Sequence, residues 1–79
     1  MRSVTFIHVY FTHAGIECQV PSAPKRGRIV HPEPPQSRVE FGGYILFKCD
    51  DGYRMFGSHK AVCLKDGSLS DKTPMCVGF

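Results

Sequence analysis

Four cysteines in a chain of 79 residues, Cys18, Cys49, Cys63 and Cys76, limit what this sequence can fold into more than any other feature. A domain this short buries too little apolar surface to be held by its core alone, so cross-links usually supplement it. The gaps between the cysteines are 30, 13 and 12 residues, and four cysteines pair in three ways. A zinc site normally takes two ligands from a tight C-x-x-C turn, and none of these gaps is that short, even with His31 or His59 added. Two structural disulfides fit the spacing. They imply an oxidising setting, either secreted or on the extracellular face of the cell surface. No metal and no cofactor is expected.

Ten Lys and Arg against seven Asp and Glu give a net charge of +3, too mild to imply nucleic acid. No apolar run approaches the roughly 20 residues needed to cross a bilayer, so no membrane insertion is expected. The chain has no asparagine and therefore no N-linked glycosylation sequon.

Residues 1–17 differ in character from the rest of the chain. Arg2, the apolar run Val4 to Phe11 and the small residues before Gly15 read as a short signal peptide, although Thr5 and His8 interrupt the run. The same β-branched and aromatic run fits better as the last strand of a preceding β-module, because both its faces are apolar, and the whole segment also reads as a tail. The independent module begins near Cys18.

From there on the sequence spells short strands. Pro21, Pro24, Pro32, Pro34 and Pro35 rule out a long helix between Val20 and Gln36, leaving Arg28 to His31 as one short strand. After Gly42-Gly43, Tyr44 to Cys49 carries the strongest strand signal. Period-two geometry puts Ile45, Phe47 and Cys49 on a core face and Tyr44, Leu46 and Lys48 opposite. Asp50-Asp51-Gly52 is a turn, Tyr53 to Phe56 an extended piece with Tyr53 and Met55 in the core, and Gly57-Ser58 another turn. Lys60 to Leu64 is the expected partner strand, with Ala61 and Cys63 facing one way. Asp66-Gly67 turns the chain again, leaving Leu69 and Met75 to pack near the last disulfide. No segment shows amphipathic helical spacing. The fold class is all-β, small and disulfide-rich.

The spacing Cys49-x-x-Gly52-Tyr53-x-x-x-Gly57, then Cys63-x-x-Asp66-Gly67-Ser68-Leu69-Ser70, then Pro74-x-Cys76 resembles the second half of a sushi module, also called a complement control protein module or short consensus repeat. Cys18, Pro24, Gly27, Gly42 and Phe47 are similar to its first half. The resemblance covers residues 18–76 and leaves 77–79 as the start of an inter-module linker. It implies an elongated β-sandwich with Cys18 bridged to Cys63 and Cys49 to Cys76. Leu69 departs from the pattern, which usually has a tryptophan there packed against one disulfide and the sheet. Phe41, Tyr44, Phe47 and Phe56 are candidates to fill the missing volume, and a looser end near Cys76 is expected.

A nucleophile needs a base within hydrogen-bond reach and a cleft that excludes water, and a narrow module has no room for one, so no enzyme is expected. His8, His13, His31 and His59 read as surface residues. The resemblance implies a non-catalytic extracellular protein-binding module, one bead of a larger complement-regulator, adhesion or matrix type of protein, which contacts other proteins and its neighbouring modules. Tyr44, Leu46 and Phe56 are the candidate protein-binding residues, as large apolar side chains on an outward face. Lys25, Arg26, Arg28 and Arg38, against Glu33 alone, form a basic stretch that suits a heparan sulfate-like polysaccharide. The remaining alternative is a passive spacer.

Overall fold

The computed structural model describes residues 15–78, in which seven short strands and no helix form. The Val4 to Phe11 segment lies outside the described residues. The strands are β1 (Glu17–Gln19), β2 (Gly27–His31), β3 (Arg38–Glu40), β4 (Tyr44–Cys49), β5 (Tyr53–Phe56), β6 (Lys60–Val62) and β7 (Met75–Gly78). They pair antiparallel in three small sheets ordered β1-β3, β2-β4-β6 and β5-β7.

β4 organises the module because, among the described residues, it is the longest strand and pairs on both sides. Its Ile45 and Phe47 are buried, while Tyr44 and Lys48 are exposed. Ile45 lies opposite Ala61 of β6, and Phe47 opposite Ile29 of β2, so neighbouring strands bring apolar side chains to the same face. Cys18, Val39, Ile45, Phe47, Ala61 and Cys63 form the buried core, with Val20, Ile29, Met55 and Leu69 packed against it.

The bridges join Cys18 to Cys63 and Cys49 to Cys76. The Cys63 N–H donates to the Gly43 carbonyl at 2.8 Å, so the first bridge stands at the start of β4. Cys49 ends that strand. A strand of this length separates them by roughly 17–20 Å. In the chain-entropy model, loop separations of 45 and 27 residues correspond to about 4 and about 3.5 kcal/mol. Overlapping loops do not add simply, but either value is comparable with the whole stability of a small domain.

Gly27 shows how tightly the second bridge is packed. A Cβ on it would lie 2.8 Å from the Cys76 Sγ and 2.8 Å from the Lys48 carbonyl oxygen, so only glycine lets β2 close on β4 there.

Several expectations need correction. The strand expected over Lys60 to Leu64 stops at Val62, because the Leu64 N–H donates to the Ser68 carbonyl and the Leu64 carbonyl accepts from Gly67. That local turn consumes the groups of Leu64 that a longer ladder would use, while Cys63 still bonds to Gly42 and Gly43 ahead of β4 and forms an isolated bridge to Leu69. Leu69 therefore packs beside the first bridge and not the last. The position that the pattern usually gives to tryptophan thus lies beside the first bridge, not near Cys76. Met75 does not pack near the last disulfide either. Period two along β7 turns Cys76 inward and Met75 out, leaving Met75 64% exposed. Of the four aromatics offered as fillers only Phe47 is buried. Phe41, Tyr44 and Phe56 all reach solvent. Strands β1, β3 and β7 carry no strand signal of their own in the sequence.

Candidate interaction surfaces

The structure divides the candidate residues among separate surfaces. Tyr44 and Leu46 share the outer face of the β2-β4-β6 sheet, where Val62 of β6 lies opposite Tyr44 and Lys60 opposite Leu46. A bulge between Ile29 and His31 resets the register of β2, and His31 then also lies opposite Leu46. Its imidazole stacks on the Tyr44 ring with centroids 4.5 Å apart, and the Lys60 Nζ sits 5.0 Å from the centroid of that ring. Tyr44 is thus fixed between an imidazole and an ammonium, and Leu46 is half-buried beside them.

Phe56 belongs to a different surface. β5 and β7 form a two-stranded ribbon in which Tyr53 and Met55 are half-buried and Arg54 and Phe56 face outward. Phe56 lies opposite Met75, and Arg54 opposite Val77. Phe56 is 53%, Met75 64% and Val77 39% exposed, so three large apolar side chains share one outer face. The sequence reading turns Met75 inward and assigns Val77 no face, whereas alternation about a half-buried Cys76 turns both outward. Val77 and Gly78, read as the start of a linker, are paired in this ribbon.

The four basic candidates do not form one cluster. Arg28 lies opposite Lys48, with its Nη1 3.9 Å from the Asp50 carboxylate. Arg38 lies opposite Gln19 on the β1-β3 sheet and pairs with Glu17 at 3.5 Å. All four of these ion-pair side chains are largely exposed, so each pair is worth no more than about 1 kcal/mol. Arg26 occupies the left-handed region at φ 63°, and its guanidinium lies 5.4 Å from the Tyr53 ring centroid. Lys25 is exposed on the same turn.

One carboxylate is perturbed. The Ser68 hydroxyl donates to the Asp66 carboxylate at 2.6 Å and the Ser68 N–H at 3.0 Å, and these bonds hold its pKa below the usual aspartate value. This is a turn lock beside the first bridge and not a reactive acid. Shallow grooves line the surface. One of about 410 Å³ runs between Glu17, His31, Arg38 and Tyr44, open to solvent throughout. Among the described residues no group of three or more His, Cys, Asp and Glu side chains is placed to hold a metal. No helix of the described residues is long and apolar enough to cross a membrane.

The sushi repeat (SCR repeat) family model matches residues 18–76, the span bounded by the two crossed bridges. The chain belongs to the sushi family. This sushi module is 33% identical over 61 residues to sushi, von Willebrand factor type A, EGF and pentraxin domain-containing protein 1 of Mus musculus, covering 77% of the chain and 2% of the relative. It is 36% identical over 69 residues to mannan-binding lectin serine protease 1 of Rattus norvegicus, covering 80% and 9%. It is 29% identical over 62 residues to E-selectin of Rattus norvegicus, covering 78% and 11%. The chain therefore spans only a small part of the length of these relatives. Sushi modules occur in such secreted or cell-surface proteins and are themselves non-catalytic.

Proposed function

We propose that the sushi module, together with the end of β7 at residues 77–78, is a non-catalytic protein-binding module of a larger extracellular or cell-surface protein, with the outer face of the β5-β7 ribbon contacting an extracellular partner. The observation that carries this reading is the apolar face of Phe56, Met75 and Val77, which the module's own fold leaves uncovered among the described residues. Large apolar side chains gathered on one exposed face mark contact surfaces, whereas isolated ones do not. An aromatic at the centre of such a face is the usual anchor. The relatives are many-domain proteins, which supports treating this module as one unit among others.

The polysaccharide reading of residues 25–38 is weakened because its basic residues are divided between separate surfaces, Arg28 on the β2-β4-β6 sheet and Arg38 on the β1-β3 sheet. The spacer reading has no specific observation in its favour.

The test is a photo-crosslinking amino acid placed at position 56 and, separately, at Lys65 in the first-bridge turn. The variants are irradiated on cells and in conditioned medium, and the adducts identified by mass spectrometry. A discrete protein adduct from position 56 and not from 65 is expected. Adducts that are absent, or equal from both positions, would leave the ribbon without a role in binding.

A further inference from the structure

The outer face of the β2-β4-β6 sheet holds an arrangement that the fold itself does not require. Arg28 and Lys48 are direct cross-strand partners on that face, and like charges placed opposite each other destabilise a ladder. Asp50 reaches Arg28 only at 3.9 Å, and Lys48 makes no ion pair among the described residues. Lys60 adds a third cation beside Leu46, one step along β4 on the same face. A local choice that works against the fold is expected where the sequence serves something other than folding.

We infer that this face is a docking surface for an acidic, extended protein segment. A carboxylate of the partner sits between Arg28 and Lys48, and an apolar side chain of the partner rests on Leu46 and the Tyr44 ring held by His31 and Lys60. The charges are complementary to such a segment, and the incoming carboxylate relieves the Arg28–Lys48 repulsion instead of adding to it.

A protein segment fits better than a sulfated polysaccharide because the strip changes character at both ends. Beyond Lys48, β4 runs into Asp50 and Asp51, which repel a polymer of continuing negative charge. At the other end lie Tyr44 and Val62, apolar contacts that a sulfated sugar does not use well. A tyrosine between basic residues is instead the composition of a protein contact centre.

The experiment uses the whole chain and a fluorescein-labelled octapeptide of alternating Glu and Leu, read by anisotropy. An alternating Lys and Leu octapeptide and a heparin octasaccharide serve as comparison probes. The acidic peptide should bind, the basic one should not, and salt should weaken the complex. Lys48→Glu should lower affinity about tenfold, Lys48→Arg should preserve it, and Lys65→Glu, with the same change in net charge, should alter it less than about twofold. Lys48→Glu should also raise the melting temperature by about 2 °C, because Arg28 then faces an opposite charge. That rise separates a lost docking charge from a damaged fold. The inference is overturned if Lys48→Glu leaves peptide affinity unchanged, or if the heparin fragment binds through Lys48 more tightly than the peptide does. Crosslinking at position 56 reports on the other sheet, so the two readings stand or fall separately.

Discussion

At the Cys18–Cys63 end both half-cystines are fully buried, Ile45 and Ala61 have no exposed surface, and Leu69 packs across them. At the Cys49–Cys76 end both half-cystines are only half-buried, and the strands they hold turn Phe56, Met75 and Val77 to solvent. The first bridge is part of the core. The second is a clasp that keeps a thin ribbon against it. A small β-module thus concentrates its stability at one end and leaves apolar surface available for contact at the other.

The largest effect that could break this contrast is removal of each bridge in turn. Cys18→Ala with Cys63→Ala forfeits about 4 kcal/mol of loop restraint together with core packing, and should leave the chain unfolded at room temperature. Cys49→Ala with Cys76→Ala forfeits about 3.5 kcal/mol but no fully buried side chain. Amide exchange should then rise first in β5 and β7 while β4 and β6 stay protected. Equal loss of protection across the whole molecule would erase the distinction between core and clasp.

A finer comparison sets Leu69→Ala against Met75→Ala, one residue from each end. Leu69 is half-buried against the core, so truncation should cost about 2 kcal/mol, at the low end for leucine. Met75→Ala should change stability by less than about 0.5 kcal/mol. Urea midpoints at constant slope measure both.

The smallest expected effect is acid sensitivity at the first-bridge end. The Ser68 hydroxyl and N–H keep the Asp66 pKa below its ordinary value in the folded state. A depressed carboxylate pKa stabilises the fold above the unfolded-state value, about 3.9, and that contribution fades as pH falls through the lowered folded value. Wild type and Asp66→Asn should therefore differ slightly in melting temperature at neutral pH and converge toward about pH 2. A gap that widened in acid would contradict the assignment.

Much of the first end is legible in the sequence. The alternation of Tyr44 to Cys49 and the inward pairing of Ala61 with Cys63 follow from period two, and the bridge pairing follows from the sushi resemblance. The misplacements share one cause. Sequence proximity refers Leu69 to Cys76, whereas a turn closed by Ser68 carries it back to Cys63. β1 and β3 each offer a single apolar residue, Cys18 or Val39, between polar neighbours, which carries no periodic signal. They form strands because the bridge and the core fix that central residue. The division of the basic residues between two sheets is likewise invisible in the sequence, since Arg28 and Arg38 are ten residues apart along the chain but lie on separate ladders.

The interleaving of the two cross-links also sets how the module responds to being pulled along its chain. Tension entering at Cys18 crosses directly to Cys63, and from there only 12 residues intervene before Cys76. Even with every strand undone, the oxidised span, bridge included, stretches to about 50 Å, against about 200 Å for the reduced one. A mechanical load thus meets a short, nearly inextensible stop, and reductant acts as the release that lets the chain pay out.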